Sequence, residues 1–391
     1  MKHFTYAISF SVLLILSFAL LSGCERIMDT GVTDEMIGTP GTDTTKTLKV
    51  GLIHPQPNYT SFGKGAELAR DEINDAGGVL GMPVELIFKE ETTDTVAQST
   101  HELIEDEHVV AILGPLFSSH AVKVGPVTTV PVLLGATRAE VTAEETDPND
   151  FMFLVAGSNV LQARLLAKVV KEDLNAATAA MIWQDMDVYS VGFVNAFEED
   201  FTSLGGMVGV KETYMNNDVM MLDSQLAAVQ AAAPDVLLLA SFPRAVPRIM
   251  EQARAMGIES IFIGSDGWDD PLMFETLENN APLENSYYCT NLDPDATNFN
   301  SAYEARYGSV DGIAASGYDA MRILAIAINT VGSTTDPIAI RDAIAAITDY
   351  EGATSISSFD ENRNPIKSVG VRQIINEMPA PIADIIIESP Q

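Results

Sequence analysis

Two serines close the run Gly114-Pro115-Leu116-Phe117-Ser118-Ser119, which follows the wholly apolar segment 109–113 and leads into a helical stretch. At a helix N-terminus, free N–H groups and the dipole favour an anion, and a serine hydroxyl can donate to a carboxylate there. Either serine would serve equally as a plain N-cap. A second loop, Gly135-Ala136-Thr137-Arg138, follows the apolar segment 130–134 and offers a hydroxyl beside backbone groups; Gly135 also reads as a turn glycine. A third, Gly264-Ser265-Asp266-Gly267, carries a carboxylate. In a dry cleft such a group forms a charge-assisted hydrogen bond with a cation, and on a surface it is an ordinary Asp–Gly turn. These groups can hold a small polar molecule. The parts for breaking one are missing: there is no GxSxG elbow, no HExxH, no cysteine–histidine arrangement and no GxxxxGK[ST] loop. Pairs such as Asp269-Asp270 carry little information in a chain with 55 acidic residues.

The elements around these loops alternate. Strands are predicted at 48–53, 84–88, 109–113, 130–134, 151–155, 179–183, 208–212, 236–240 and 261–263. Helices are predicted at 62–74, 98–107, 160–174, 191–204, 221–232 and 245–256. In the first of these, Phe62, Ala66, Ala69 and Ile73 share a face, and Gly77-Gly78 stops it. Strands separated by helices of this length form parallel βαβ crossovers, so the fold class is α/β with doubly wound sheets. In such sheets ligands lie beyond the carboxyl ends of strands, where all three loops fall.

Composition narrows the partners. The 391 residues suffice for two domains of ordinary size. A formal charge of −33 argues against nucleic acid, which needs a basic face, and against docking on anionic lipid through a basic patch. The two cysteines, Cys24 and Cys289, form no CxxC pair, and the five histidines lack ligand-like spacing, so neither metal nor cofactor is expected.

Residues 1–24 place Lys2 before an apolar run and end Leu21-Ser22-Gly23-Cys24. The layout is that of a secretory signal, and its end resembles the lipobox of bacterial lipoproteins. The resemblance implies cleavage before Cys24, lipid on its thiol and an exported, membrane-anchored protein. The stretch 25–46, rich in Thr, Gly, Asp and Pro, reads as a flexible tether.

The order of motifs in the body carries a second resemblance. Gly65-Ala66-Glu67-Leu68-Ala69, Glu72-Ile73-Asn74, the loops at 114–119 and 135–142, Tyr189 before Gly192, Pro234-Asp235-Val236, Gln252-Ala253-Arg254-Ala255-Met256-Gly257 and Gly264-Ser265-Asp266-Gly267 occur in sequence. Together they resemble the leucine/isoleucine/valine-binding proteins of ABC transporters, which have the type I periplasmic-binding-protein fold. The resemblance spans roughly 48–375. It implies two lobes joined by a three-strand hinge: 48–155 plus 291–353, and 156–290 plus 354–391, after a leader at 1–23 and a tether at 24–47. It implies a ligand, an amino acid or a related compound, held by Ser118, Ser119, Gly135, Ala136 and Thr137 of the first lobe. From the second lobe it implies Tyr189, Phe242 and Asp266, with Asp266 facing the α-ammonium. Permease subunits would be the protein partners. Asp266 stands where the family prototype has Glu and Phe242 where it has Tyr, which puts a leucine ligand in doubt. Tyr59 and Arg138 are weaker candidates, and Trp268 reads as cleft lid or core. The same body also serves ligand sensors and lipoproteins that activate cell-wall enzymes, so that use stays open beside transport.

Overall fold

The computed structural model describes residues 46–56, 60–215 and 219–388 of the protein. The leader, Cys24 and Tyr59 lie outside the described residues. Among those described, no helix is long and apolar enough to cross a membrane.

In the first sheet, β1 (Leu48–His54), β2 (Val84–Glu90), β3 (Ile112–Leu113), β4 (Val132–Leu134) and β5 (Met152–Leu154) are all parallel, in the order β2-β1-β3-β4-β5. Strands β3, β4 and β5 are buried along their whole length, which explains their unbroken apolar sequences. They span only two or three residues, fewer than predicted, and β3 and β4 lose theirs at the amino-terminal side while ending where predicted, so the loops that follow them start where expected. Connecting helices are α1 (Ser61–Asp75), α2 (Val96–Glu105) and α3 (Ser118–Val124).

Helix α4 (Asn159–Lys168) opens the second half with Ser158 as its N-cap. It ends earlier than predicted, at a π-helical turn, Val169–Asp173. Then follow β6 (Thr178–Gln184), α5 (Val188–Ser203), β7 (Met207–Tyr214), α6 (Asp223–Ala232), β8 (Val236–Ala240), α7 (Val246–Ala255), β9 (Ile261–Gly264), the short α8 (Leu272–Glu275) and β10 (Ser286–Thr290). The parallel strands run β7-β6-β8-β9-β10.

The chain then returns to the first sheet. Helices α9 (Thr297–Tyr307), α10 (Gly312–Val331) and α11 (Pro337–Ala345) complete its core. Helix α10 starts where the Asp311 carboxylate accepts from Ala314 N–H at 2.7 Å and stops at Gly332, whose φ of 69° suits glycine. It packs on α1 at backbone distance: a Cβ at Gly65 would overlap the Ala314 carbonyl, and one at Gly317 would overlap that of Phe62. A hairpin of β11 (Ile356–Phe359) and β12 (Pro365–Lys367) also lies against the first sheet. Phe359 meets Phe153 edge-on at 5.5 Å, and Arg363 Nε donates to the Met152 carbonyl at 3.1 Å. The resemblance implies 354–367 in the second lobe; these contacts put that segment on the first, and the third crossing falls near 368 instead of 353. Finally β13 (Val369–Ile375) joins the second sheet antiparallel to β10, with β14 (Met378–Pro379) and β15 (Ile386–Glu388) paired to it. The second sheet is therefore parallel at its centre and antiparallel at one edge. The two lobes are the expected doubly wound α/β units.

Candidate functional site

In each sheet the strand order reverses once, between β1 and β3 in the first and between β6 and β8 in the second. The loops leaving the carboxyl ends at these switch points face each other across a cleft of about 530 Å³, mouth included. Ser118, Gly135 and Thr137 line it from the first lobe; Tyr189, Phe242 and Asp266 line it from the second. Six of the eight residues predicted from sequence are thus brought together. Ser119 and Ala136 are not among the lining residues. Ser119 is the second residue of α3, and the Ala136 side chain is buried in the core cluster behind the loop.

The first-lobe wall is organised by a residue that the sequence did not flag. Glu91 follows β2, and its buried carboxylate accepts from the N–H groups of Leu116 (2.9 Å) and Phe117 (2.8 Å). His120 Nδ1 lies 2.8 Å from the same carboxylate and must carry the proton, because a carboxylate only accepts. The loop thereby presents Ser118 at the start of α3. Ser118 Oγ accepts from Arg138 N–H at 3.3 Å, and its own proton has no acceptor among the described residues. Glu91→Gln turns one acceptor into a donor facing these amides. It is expected to weaken ligand binding about tenfold, on the order of 1–2 kcal/mol, and to speed hydrogen exchange at the Leu116 and Phe117 amides, which nuclear magnetic resonance would read.

Thr137 behaves differently from the expectation. Its hydroxyl donates to Asn159 Oδ1 at 2.7 Å, its carbonyl accepts from Asn159 N–H at 2.7 Å, and Asn159 Nδ2 donates to the Tyr189 carbonyl at 3.0 Å. The hydroxyl expected to hold a ligand carboxylate is therefore spent on the opposite lobe in this state. Beside it, Arg138 donates to the Val188 carbonyl at 3.2 Å and pairs with Glu140 at 3.0 Å, so it bridges the lobes and does not line the cleft.

On the second-lobe side, Asp266 opens a 3₁₀ turn after β9, and its N–H donates to Gln162 Oε1 at 3.2 Å. The Tyr189 hydroxyl donates toward Asp266 Oδ1 at 3.1 Å, has Ser265 Oγ at 2.6 Å and accepts from Gly267 N–H at 3.0 Å. Asn291 Nδ2 reaches Asp266 Oδ2 at 3.3 Å. Burial pushes the Asp266 carboxyl up to about 6, with hydrogen bonds from Gln162 and Tyr189 opposing the rise and nearby Asp269 adding to it. Burial likewise raises the Tyr189 phenol well above its ordinary value, so it remains a neutral donor. Among the described residues that line the cleft, Asp266 is the only charged one.

The remaining surface is apolar. Phe242 stacks on Tyr189 (5.4 Å, 28°) and meets Phe117 of the first lobe edge-on (5.4 Å, 84°). Leu116, Pro243 and Ile313 extend this surface. Phe117, Asn291 and the α10 residues Ile313 and Ser316 escaped the sequence reading. Trp268 is fully buried and donates its indole N–H to the Leu239 carbonyl at 3.0 Å, so it is core and not lid.

Two α/β lobes with one carboxylate and a cluster of hydroxyls and amides at their junction define a solute-binding protein. Residues 47–377 match the periplasmic binding protein family, and the chain belongs to it, among the leucine/isoleucine/valine-binding-like members with the type I fold. It is 26% identical over 348 residues to Leu/Ile/Val-binding protein homolog 7 of Brucella suis biovar 1, covering 81% of this chain and 86% of that one. Its fold is similar to that of the branched-chain amino acid transporter substrate-binding protein LivJ of Streptococcus pneumoniae, solved with isoleucine: TM-score 0.79, 25% identity, 88% of this chain and 100% of that one. It is equally similar to the leucine-binding protein LivK of Thermotoga maritima, at TM-score 0.79 and 26% identity over 88% and 99% of the two chains. These relatives are solute-binding proteins and not enzymes, and the family works outside the cytoplasm.

Proposed function

We propose that this protein captures an amino acid with an uncharged, largely apolar side chain for an ABC importer, by closing its two lobes around it. The observation that carries the reading is the buried Asp266 carboxylate, facing Ser118 and the α3 N-terminus across an otherwise uncharged cleft. In this reading Asp266 takes the ammonium, with Tyr189 and Asn291 holding the carboxylate in place. The Ser118 hydroxyl and the N–H groups of Ser118 and Ser119 take the ligand carboxylate, those of His120 and Ala121 being held by the Phe117 carbonyl, and Thr137 joins them when its hydroxyl turns from Asn159. Leu116, Phe117, Phe242 and Ile313 surround the side chain. Each end of the zwitterion is held by a different lobe, so the ligand gains most from the closed form and shifts the equilibrium toward it. The hinge comprises the crossings near 155, 290 and 368. Cys24 carries the lipid anchor, the tether lets the body reach a permease, and the ATPase of the importer supplies the energy.

Calorimetric titration of the purified protein with the common amino acids tests this. Leucine, isoleucine, valine or an aromatic amino acid is expected to bind and to raise the unfolding temperature by mass action. Glutamate and lysine are expected to fail, because no opposite charge awaits their side chains and burying an unpaired charge is costly. Absence of binding by any amino acid would overturn the reading.

A further inference from the structure

Asp266 lines the cleft; Asp269, at the end of the same 3₁₀ turn, lines a second cavity of about 640 Å³, mouth included. The two spaces share no lining residue. Both lobes form the second one. Phe274 of α8, Tyr288 of β10, Arg372 of β13 and Met378 of β14 come from the second lobe, and Val310 and Asp311, at the start of α10, from the first. Two polar groups on these walls are unsatisfied. Asp311 is buried; its Oδ1 accepts from Ala314 N–H at 2.7 Å, but Oδ2 has no hydrogen-bond partner among the described residues. The Tyr288 side chain is fully buried, and its hydroxyl likewise makes no hydrogen bond there. Ser61 lies near Asp311, and Asp269 and Arg372 lie near Tyr288, without bonding to either atom. Native proteins rarely leave such groups unpaired, and two on one cavity mark a place for a ligand's polar atoms.

Charge decides the kind of ligand. Three acids line the cavity, Asp269, Glu275 and Asp311, against one base, Arg372. Asp269 is well partnered: its Oδ2 accepts from Thr290 Oγ1 at 2.5 Å and from Gly312 N–H at 2.7 Å, and Arg372 acts on it electrostatically. Arg372 is itself buried and donates Nε to the Ala380 carbonyl at 2.8 Å. With these two charges set against one another, Asp311 remains a buried carboxylate without a counter-charge, which is costly. Burial and the charges of Asp269 and Asp270 push its carboxyl well above the ordinary value, and a cation at the unpaired oxygen would oppose that rise. The same balance disfavours an anion. No group of three or more His, Cys, Asp or Glu among the described residues is arranged to hold a metal ion. Phe274, Val310 and Met378 make the remaining wall apolar, which suits an organic cation.

We propose that this cavity is a second ligand site, taking a small primary amine whose ammonium pairs with Asp311 and whose hydrocarbon body lies against Phe274, Val310 and Met378. The ammonium supplies the donor that Asp311 Oδ2 lacks, in a charge-assisted hydrogen bond. The Tyr288 hydroxyl, which both donates and accepts, offers the ligand a second polar contact. An amino acid fits this space less well than the amine it becomes on losing its carboxylate, because that carboxylate would lie among Asp269, Glu275 and Asp311. Cleft and cavity thus differ in the one group that distinguishes the two ligands: the cleft has the start of α3 for a carboxylate, and the cavity has no such donor set beyond the engaged Arg372. No residue of the cleft takes part, so the second site stands apart from the transport reading.

Calorimetric titration with isopentylamine and phenethylamine tests this, in the wild type and in Asp266→Asn, where the competing carboxylate of the cleft is gone. Both amines are expected to bind both proteins. The anion isovalerate and the neutral isopentanol, of similar size, should bind at least about tenfold more weakly. Asp311→Asn keeps the cap on α10 and is expected to weaken both amines at least about tenfold. A second measurement locates the site: with the methionine methyls isotope-labelled, the Met378 resonance should move on addition of isopentylamine, and should stay in place in Asp311→Asn. Failure of both amines to bind would overturn the proposal. So would binding that Asp311→Asn leaves intact, binding that Asp266→Asn abolishes, or isovalerate binding more tightly than isopentylamine. Amino acid capture without amine binding removes only the second site. Amine binding to a protein that takes no amino acid removes only the ligand assigned to the cleft.

Discussion

Asp266→Asn is expected to lower affinity for an amino acid by roughly two orders of magnitude, about 3 kcal/mol, because it leaves a buried ligand ammonium without its counter-charge. The substitution is nearly isosteric, and the amide oxygen can still accept from Tyr189 or Asn291, so the lobe should fold as before. The loss should therefore appear in calorimetry and not in the unfolding midpoint of the free protein. The pH profile gives a second check. In the free protein burial holds the Asp266 carboxyl at about 6, and an ammonium beside it would pull that value down. Binding then releases a proton wherever Asp266 was protonated. Affinity is full above that value and falls as pH drops through it, by up to roughly tenfold per unit. Asp266→Asn should flatten this limb.

The second large effect lies in the scaffold. Gly317→Ala is expected to cost about 3 kcal/mol, at the upper end for overpacking, because the added methyl meets the Phe62 backbone and not a side chain that can swing aside. Helix propensity alone would predict a gain of about 0.5–1 kcal/mol, so the sign of the result discriminates between the two effects. Gly65→Ala strikes the Ala314 carbonyl in the same helix pair and should cost a similar amount. Gly209, with nothing within 4 Å of a built Cβ, is the control; its alanine variant should stay within about 0.5 kcal/mol of wild type. Urea unfolding midpoints would report all three. Because Ile313 and Ser316 project into the cleft from the same helix, Gly317→Ala should also weaken ligand binding.

The parts of this architecture legible in the sequence are those where local pattern and tertiary role coincide. Strand β8 is apolar and buried on both faces, and its predicted limits match the observed ones. Ser118, Thr137 and Asp266 could be found because each follows such a strand and ligands collect at strand ends. Asn291 and Ser316 could not, since neither lies in a distinctive motif and both reach the cleft through long-range packing. Glu91 was hidden for a different reason: it is one acid among 55, and only the fold reveals that its carboxylate is buried against two amides. The course of 354–367 was misread because no local feature says which sheet a short hairpin will cover. Arg363 decides it by reaching the Met152 carbonyl and the acids Asp147 and Asp150.

The closure of the first lobe by α9–α11 bears on how the chain reaches its folded state. The core beneath β1 and α1 is completed by Phe299, Tyr303 and α10, and Glu72 finds its partner Tyr318 at a separation of 246 residues. A growing chain that ends before α10 cannot bury the apolar face of its first sheet. Contacts so distant along the chain form late and make folding slow. For a polypeptide whose family acts outside the cytoplasm, that delay keeps it threadable until it has crossed the membrane. Transplanting α9–α11 ahead of β1 in a circular permutant should accelerate refolding of the first lobe while leaving its cleft residues in place.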